Sequence, residues 1–211
     1  MTITASKKID EIIQNYLHPF MKEAGFIRKG RTWNRHARGM IDVMNVQTSQ
    51  WNEPTLGSFT INVGVLVPKV YALCWGKDTP TFPKEEDCIV RARIGALIDR
   101  PATGRRKQKD VWWDMDMETD LEALGNNLRL LLREKIVPFF DQFDSLKSIK
   151  IWWEKQAPHE TETPLGNIFL AIIDAQLGYK KEAKKLLEDE TRRDDSLWKN
   201  QALGVSARLG I

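Results

Sequence analysis

Cysteine and histidine are scarce in this sequence, with two and three copies respectively in 211 residues. Cys74 and Cys88 lie far apart with no second pair, which favours reduced, buried thiols over a disulfide in a chain without an export signal. His18, His36 and His159 stand at no metal-ligand spacing from one another or from a cysteine. We therefore expect no zinc site, no other bound metal and no cofactor.

Long apolar runs and catalytic signatures are also missing from the sequence. No window approaches the roughly 18 apolar residues that a membrane span requires. The opening MTITASKKIDEII has no apolar stretch before a small-residue cleavage site, so we expect a cytoplasmic protein without a membrane partner. Neither the Gly-x-Ser-x-Gly elbow nor the Gly-x-x-x-x-Gly-Lys phosphate loop occurs. We therefore predict no catalytic residue.

Charge is plentiful and unevenly distributed. Charged residues make up 29% of the chain and its net charge is +3. Residues 1–110 hold 18 Lys and Arg against 11 Asp and Glu, whereas residues 111–211 hold 14 against 18. The basic excess is densest in 27–39 and 91–109. Such an asymmetry indicates either an anionic partner or two halves that attract one another.

The residue pattern predicts an α+β fold. An apolar stripe from Ile9 to Leu17 predicts a first helix that Ser6 could cap and that Pro19 bends or ends. Thr119 and Glu122 are spaced as a capping box at the start of a leucine-rich helix. Between these helices, segments rich in β-branched and aromatic residues predict an antiparallel sheet of about five strands. These segments are FIRKGRTWNRHA, MIDVMNVQT, SFTINVGVLV, CIVRARIGAL and DVWWDMD.

The chain divides into an α+β domain, 1–143, and a helical C-terminal extension, 144–211, that we expect to pack on it. Apolar stripes in the extension need cover, and the residues expected to provide the contact are Trp152, Phe169, Leu177 and Trp198. The segment AIIDAQLGYKKEAKKLLE resembles one tetratricopeptide-like helix pair. Because such arrays need about three stacked repeats, a single pair predicts helices that pack on the sheet domain, or on each other, rather than a peptide-binding solenoid.

Strand alternation predicts which side chains leave the core. In FTINVGVLV, Phe59, Ile61 and Val63 alternate with Thr60 and Asn62, so the second set faces away from the core. The same rule turns Cys88, Val90, Ala92 and Ile94 inward and Arg91 and Arg93 outward. The segment from Val43 to Gln47 is ambiguous, and choosing Met44 and Val46 as core places Asn45 and Gln47 outward.

One sheet face therefore collects a candidate partner-binding set, with one tryptophan of the Trp112–Trp113 pair beside it. Its members are Asn45, Gln47, Thr60, Asn62, Arg91, Arg93 and Trp113. Such polar pairs can simply face solvent on a sheet that is covered on one side only. The alternative is a surface whose guanidiniums and amides bind phosphate, carboxylate or peptide groups, with the basic loop 105–109 near its rim.

Five blocks in this order resemble the successive blocks of a bacterial domain-of-unknown-function family, the one numbered 4304. They are GFIRKGRTWNR, VMNVQTSQWN, FTINVGV, CIVRARIG and DVWWDMD. The resemblance runs from the first helix to about the end of the leucine-rich helix. It implies an α+β domain but supplies no established catalytic or binding residue, and it leaves the tail after about residue 144 without a role.

Two classes of function follow from these patterns. The first is a non-catalytic binding module whose basic, amide-rich sheet face engages an anionic partner. That partner is either nucleic acid or an acidic protein, such as a toxin neutralised by a dedicated immunity protein. The second is an enzyme acting on a phosphate-bearing substrate with arginines as electrophiles, and the lack of an evident base favours the first. A purely structural role, and any oligomeric state, are compatible with the sequence.

Overall fold

The structure is a computed structural model and describes residues 4–98, 111–155 and 163–211. Its helices are α1 (Ala5–Ile12), α2 (His18–Glu23), α3 (Pro68–Trp75), α4 (Ile94–Ile98), α5 (Leu121–Leu131), α6 (Val137–Asp141), α7 (Leu146–Lys155), α8 (Pro164–Leu177), α9 (Lys180–Thr191) and α10 (Ser196–Leu209). Its strands are β1 (Ile27–Lys29), β2 (Thr32–Ala37), β3 (Met40–Thr48), β4 (Gly57–Leu66), β5 (Val90–Arg93) and β6 (Trp113–Met115).

The six strands form one antiparallel sheet, which confirms the α+β prediction. The order is β1-β2-β3-β4-β5, and β6 pairs with β4 at Gly57–Phe59. The segment predicted as one first strand is two, because Gly30 takes a φ of 62° and turns the chain between β1 and β2. A positive φ of this kind suits glycine, which has no Cβ to clash.

The two long helices of the α+β part each contain a π-helical turn just before a proline. Ile13–Leu17 joins α1 to α2 ahead of Pro19, and Leu132–Ile136 joins α5 to α6 ahead of Pro138. A proline lacks the N–H that an α-helix needs and crowds the carbonyl four residues back. The wider turn accommodates it, so the helix continues beyond Pro19 to Glu23 rather than ending there.

Both predicted helix caps differ from the structure by one or two residues. The first helix is capped by Thr4, whose Oγ1 accepts from the Lys7 N–H, and not by Ser6. The leucine-rich helix is capped by Asp120, whose Oδ1 accepts from the Ala123 N–H at 3.0 Å. Thr119 donates instead to Asp116 Oδ1 at 2.7 Å, so the predicted capping box is not formed. The competing hydroxyl bond explains the shift.

The core lies on one face of the sheet, between the strands and the helices α1, α2, α5 and α6. Phe59, Ile61, Val63 and Val65 of β4 are fully buried there, as the alternation predicts. The same apolar cluster continues into the tail through Ile149, Ile168, Phe169 and other buried side chains, and Trp152, Leu177 and Trp198 pack against it. The ring of Trp152 meets that of Phe143 edge-on at 6.0 Å.

A buried ion cluster joins the β2–β3 hairpin to α6. Asp42 is fully buried on the core face, and its Oδ2 accepts from Arg35 at 2.8 Å and from Arg38 at 3.2 Å. Arg38 also donates to the carbonyls of Phe140 and Phe143 at the end of α6. Burial raises the pKa of the Asp42 carboxyl, although the two guanidiniums oppose the shift. The cluster is committed to internal contacts and holds the sheet against the helices.

Within the described ranges, none of the helices is both long enough and apolar enough to cross a lipid bilayer.

Candidate binding cleft

Two rows of polar side chains lie side by side on the sheet face opposite the core. Asn45 of β3, Asn62 of β4 and Arg93 of β5 are register partners and form one row across three strands. Gln47 and Thr60 are register partners in the adjacent row. Met44 and Val46 are buried on the core face, so the choice of Met44 and Val46 as the inward residues of β3 is correct.

The amides of the two rows bond to one another and to neighbouring strands. Asn62 Nδ2 donates to Gln47 Oε1 at 2.8 Å, and Asn45 Nδ2 donates to Thr32 Oγ1 at 3.0 Å. Thr60 Oγ1 donates to the Val111 carbonyl at 2.8 Å. Thr60 is fully buried and Asn62 is 6% exposed, whereas Gln47 is exposed. The rows are therefore the floor of a covered site and not a freely solvated sheet face.

The same face becomes apolar towards the other end of β4. Ile41, Val43 and Leu66 form a small cluster there with two residues from outside β3 and β4, Tyr71 and Cys88. A Cβ on Gly64 would lie 2.7 Å from Cβ and 2.8 Å from Sγ of Cys88. Glycine is thus required at position 64, where the Cys88 side chain packs directly against the backbone of β4.

The position of Cys88 corrects the predicted inward set of β5. Val90 is the register partner of Val65, and the Ile89 N–H donates to the Val65 carbonyl at 3.1 Å. Two residues before and in β5, Ile89 and Val90, therefore lie opposite the single residue Val65 of β4. Such a β-bulge breaks strict alternation. Ile89 and Val90 both enter the main core, while Cys88 lies on the opposite face. The strand also ends at Arg93, because Ile94–Ile98 is helical.

Trp113 does not share the polar face. It is the register partner of Phe59, and the two rings stack at 5.4 Å between centroids on the core side. Its neighbour Trp112 lies near the polar rows, with the Arg93 guanidinium 5.8 Å from its ring centroid. Alternation predicted that the two indoles face opposite ways, and the structure shows that the choice between them was reversed.

A cleft of about 1070 Å³ lies over the polar rows. Its floor includes Asn45, Gln47 and Asn62, and its opposite wall belongs to the tail. The indoles and aliphatic groups that line it come from α3, α7 and α8, and they are Trp75, Trp152, Trp153, Leu165 and Phe169. The sequence did not predict that these residues line the site, because nothing in local periodicity shows which distant helix covers a sheet face.

The described charges of the cleft are mixed. Arg91 and Arg93 lie beside Glu85, Glu86 and Asp87, which come from the short 3-10 turn before β5. Arg91 Nε donates to Glu85 Oε1 at 2.5 Å, and this bond raises the pKa of Arg91. The loop 105–109, expected near the rim, lies outside the described residues.

The other two acids, Glu86 and Asp87, both bind Lys84. Its backbone N–H donates to Asp87 Oδ2 at 2.9 Å, and its Nζ pairs with Glu86 at 3.4 Å. The carboxylates were missed because they lie between predicted strands, where strand alternation does not indicate which face a side chain joins.

The described residues gather no metal-ligand set, and both cysteine thiols are protonated at neutral pH. Nowhere in 4–98, 111–155 or 163–211 do three His, Cys, Asp or Glu residues converge as metal ligands would. Burial raises the pKa of the Cys74 thiol to about 11 and holds that of Cys88 well above its usual range. Neither thiol is an activated nucleophile, because the thiolate is the reactive form. The described polar and aromatic lining of the cleft consists of amides, carboxylates, indoles and guanidiniums.

A second, smaller cavity of about 250 Å³ lies on the surface of α5 and the following π-helical turn. Asn126, Arg129, Leu130 and Arg133 line it. These arginines are exposed and no described carboxylate pairs with them within salt-bridge distance. They provide a second pair of exposed arginines away from the sheet cleft.

Comparison with known proteins identifies the family but no activity. No curated protein and no solved structure matches the chain. The family described as "Domain of unknown function (DUF4304)" matches residues 17–142, a range that contains β1 to β6, the leucine-rich helix α5 and the short helix α6. The match contains the floor of the cleft and ends before α7 and α8, which form its opposite wall. The chain belongs to the DUF4304 family.

Proposed function

We propose that this protein is a cytoplasmic, non-catalytic binding module whose cleft takes an anionic group of a partner protein, in the manner of an immunity protein that neutralises a toxin. The row Asn45–Asn62–Arg93 carries the proposal. It places two amides and a guanidinium side by side on three hydrogen-bonded strands, at the floor of a concave site. Arginine and amide donors are suited to carboxylate groups.

The first turn of α8 adds to this preference. Leu165 and Gly166 line the cleft, and Thr163 caps the helix by accepting from the Gly166 N–H at 3.1 Å. The N-terminal end of a 14-residue helix carries partial positive charge. An anion beside Arg93 therefore benefits from two independent positive groups on opposite sides of the cleft.

The charges favour a protein partner over nucleic acid. A polyanion lying along the cleft would meet Glu85, Glu86 and Asp87 as well as the arginines. Repulsion from these acids would oppose a continuous phosphate backbone, which binds by neutralising several phosphates at once. A protein segment can place a carboxylate at Arg93 and neutral groups beside the acids. The alternative, a nucleic-acid-binding protein or an enzyme acting on a phosphate-bearing substrate, predicts the opposite preference.

The test compares two labelled polyanions, a short polyglutamate peptide and a single-stranded oligonucleotide of equal charge. Binding is measured by fluorescence anisotropy at several salt concentrations. We expect the peptide to bind more tightly, and the double change Arg91→Ala with Arg93→Ala to weaken it by roughly tenfold or more. Circular dichroism and the melting temperature check that the variant is folded.

The matched control is Arg129→Ala with Arg133→Ala, which removes the same charge from the second cavity. Peptide binding should be unchanged in this variant. Equal weakening by both double changes would mean that net charge alone attracts the peptide, and the cleft would not be the site. Tighter binding of the oligonucleotide, with affinity falling steeply between about 50 and about 200 mM salt, would replace the proposal with the nucleic-acid alternative.

A further inference from the structure

We propose that the partner enters the cleft as an extended segment that pairs with β5 and adds a strand to the sheet. The inference rests on the proposed function, because it names how the anionic partner is held. It assigns a role to the backbone of β5, which the proposal above leaves unused. Strand addition at an open sheet edge supplies main-chain hydrogen bonds, and side-chain pockets then select the sequence.

β5 is an edge of the sheet. Among the described strands its only pairing is with β4, through Asn62 to Val65. Its other edge therefore presents backbone donors and acceptors that β4 does not use. Because β5 has four residues, a segment pairing along its whole length would span about 13 Å at 3.3 Å per residue.

The lining of the cleft shows that it follows this edge. Arg91, Ala92 and Arg93 all line it, although successive side chains of a strand point to opposite faces. The cleft therefore follows β5 through three consecutive residues. The lining continues to Gly95 and Ala96 of α4, small residues that leave room where the ladder would end. The cleft thus runs beside β5, between the sheet edge and the helices α7 and α8.

The side chains of β5 predict the sequence of the segment. Residues opposite one another on paired strands face the same side of the sheet, and opposite charges there are favourable. Arg91 and Arg93 are exposed on the polar face, whereas Ala92 is half-buried on the core side. The matching segment has Asp or Glu at two positions separated by one residue, with an apolar residue between them. The same alternation turns its apolar side chains away from the arginines.

Glu85 is the internal competitor for this segment. Its carboxylate holds Arg91 Nε at 2.5 Å and is 17% exposed, while the Arg91 side chain is 53% exposed. A carboxylate on the incoming strand opposite Arg91 would share or displace that contact. Glu85→Gln removes the competing charge and keeps the shape of the side chain. This variant should therefore bind the segment more tightly.

The probe is a fluorescein-labelled peptide about six residues long, a common strand length, in which Val and Glu alternate. One comparison peptide has the same composition with the Val and Glu residues in separate blocks. A second keeps the alternating sequence but carries N-methyl groups on alternate backbone nitrogens, which removes ladder donors and leaves the charge intact. Anisotropy titrations use the full chain, its Glu85→Gln variant and the Arg129→Ala with Arg133→Ala control.

The alternating peptide should bind at least about tenfold more tightly than either comparison peptide, since two lost backbone hydrogen bonds account for a change of that size. Glu85→Gln should tighten binding of the alternating peptide by a fewfold, and the Arg129 and Arg133 control should leave it unchanged. Equal binding of the three peptides, still lost with Arg91→Ala and Arg93→Ala, would overturn strand addition and leave the proposed function standing. Failure of all three peptides to bind, with polyglutamate also unbound, would overturn both.

Discussion

Adjacent residues of β4 lie in different environments, and the contrast sets their expected contributions to stability. Ile61 is fully buried in the main core, whereas Asn62 faces the cleft and bonds to an exposed glutamine. Ile61→Ala should lower the free energy of unfolding by about 2–5 kcal/mol through the cavity that it leaves. Asn62→Ala should cost about 1 kcal/mol, since water can replace its bond to Gln47.

Urea denaturation of the two variants measures the difference. A double-mutant cycle with Gln47→Ala isolates the Asn62–Gln47 bond from the effects of side-chain packing. Losses of equal size for Ile61→Ala and Asn62→Ala would show that the amide is packed as an interior group, and the cleft floor would then be part of the core.

The two thiols should be unreactive while the protein is folded. Cys74 and Cys88 are both buried, and the reactive thiolate of Cys74 forms only near its raised pKa of about 11. Alkylation by iodoacetamide at pH 8 should therefore be at least about a hundredfold slower than in urea, where the ordinary pKa of 9.0 applies. Native labelling at the denatured rate would place a thiol at the surface.

The same shift gives stability a dependence on alkaline pH. Between the ordinary value of 9.0 and about 11, the folded protein keeps the Cys74 proton that the unfolded chain has lost. The folded state binds more protons in this window, so stability falls as pH rises through it and is unaffected below it. The difference in urea midpoints between the protein and its Cys74→Ala variant, followed from pH 8 upwards, isolates this thiol from other titrating groups.

At the scale of elements, α5 lies close to the first π-helical turn at Gly125. A Cβ at this position would lie 2.3 to 2.5 Å from ring atoms of Tyr16, in the first π-helical turn. The nearest ring atom is attached directly to the tyrosine Cβ and cannot move aside without the helix. Gly125→Ala should therefore destabilise the protein by about 1–3 kcal/mol, or more if the two helices separate.

The matched control is Gly204→Ala, in α10. The nearest atom to its added Cβ is Arg208 Nη1 at 3.3 Å, the far end of a flexible side chain. An alanine in a helix interior is favoured over glycine by about 1 kcal/mol. Thermal melting should thus move in opposite directions for the two variants. A loss at both positions would mean that the intrinsic gain in α10 is outweighed by the movement of Arg208.

The elements differ in how far their sequence determines them. The faces of β3 and β4 followed from alternation, because a side-chain period of two leaves only two choices for a strand. Cys88 was misplaced because a β-bulge adds one residue and nothing in CIVRAR marks it. Of the two outcomes expected at Pro19, a bend or an end, the helix does not end there, because a π-helical turn can absorb a proline. Local pattern therefore predicted regular elements and failed where one extra residue changes the phase.

The sequence predicted only part of the candidate site, because local patterns relate strands that are close in sequence and not distant helices. Asn45, Asn62 and Arg93 were brought together because neighbouring strands of a hairpin sheet are also neighbours in sequence. Trp153 and Phe169 were not, because their distance in sequence from the strands leaves no local signal of contact. The choice of Trp113 over Trp112 was reversed since both are tryptophans and only the pairing of β6 with Phe59 distinguishes them.

At the scale of the whole molecule, the tail is expected to be needed for the stability of the preceding part. Arg208 of α10 donates to the carbonyls of Leu73 and Cys74 at the end of α3, at 2.6 and 2.7 Å. Gln201 donates to the same Cys74 carbonyl. A chain ending at residue 143 would leave these carbonyls without these partners and uncover Phe143, whose ring meets Trp152. Its melting temperature should be lower than that of the full chain.

Arg208→Ala is the milder variant for the same prediction, in case the shortened chain does not fold. It should cost about 1.5–3 kcal/mol, the range for hydrogen bonds made by a charged donor. Arg192→Ala is the matched control, because its pairs with Glu188 and Asp189 are exposed and should contribute less than about 1 kcal/mol. An unchanged melting temperature for the chain ending at residue 143 would show that 1–143 is a self-sufficient domain.

The two sides of the cleft come from different parts of the chain, and only one of them lies within the stretch shared by the family. The amide floor lies inside the stretch shared with the family, 17–142, whereas Trp152, Trp153 and Phe169 lie beyond it. A relative that keeps the shared stretch but carries another tail would keep the amides, the arginines and Trp75 and lose Trp152 and Trp153. Exchange of the tail alone would therefore replace one wall of the cleft and leave the sheet unchanged.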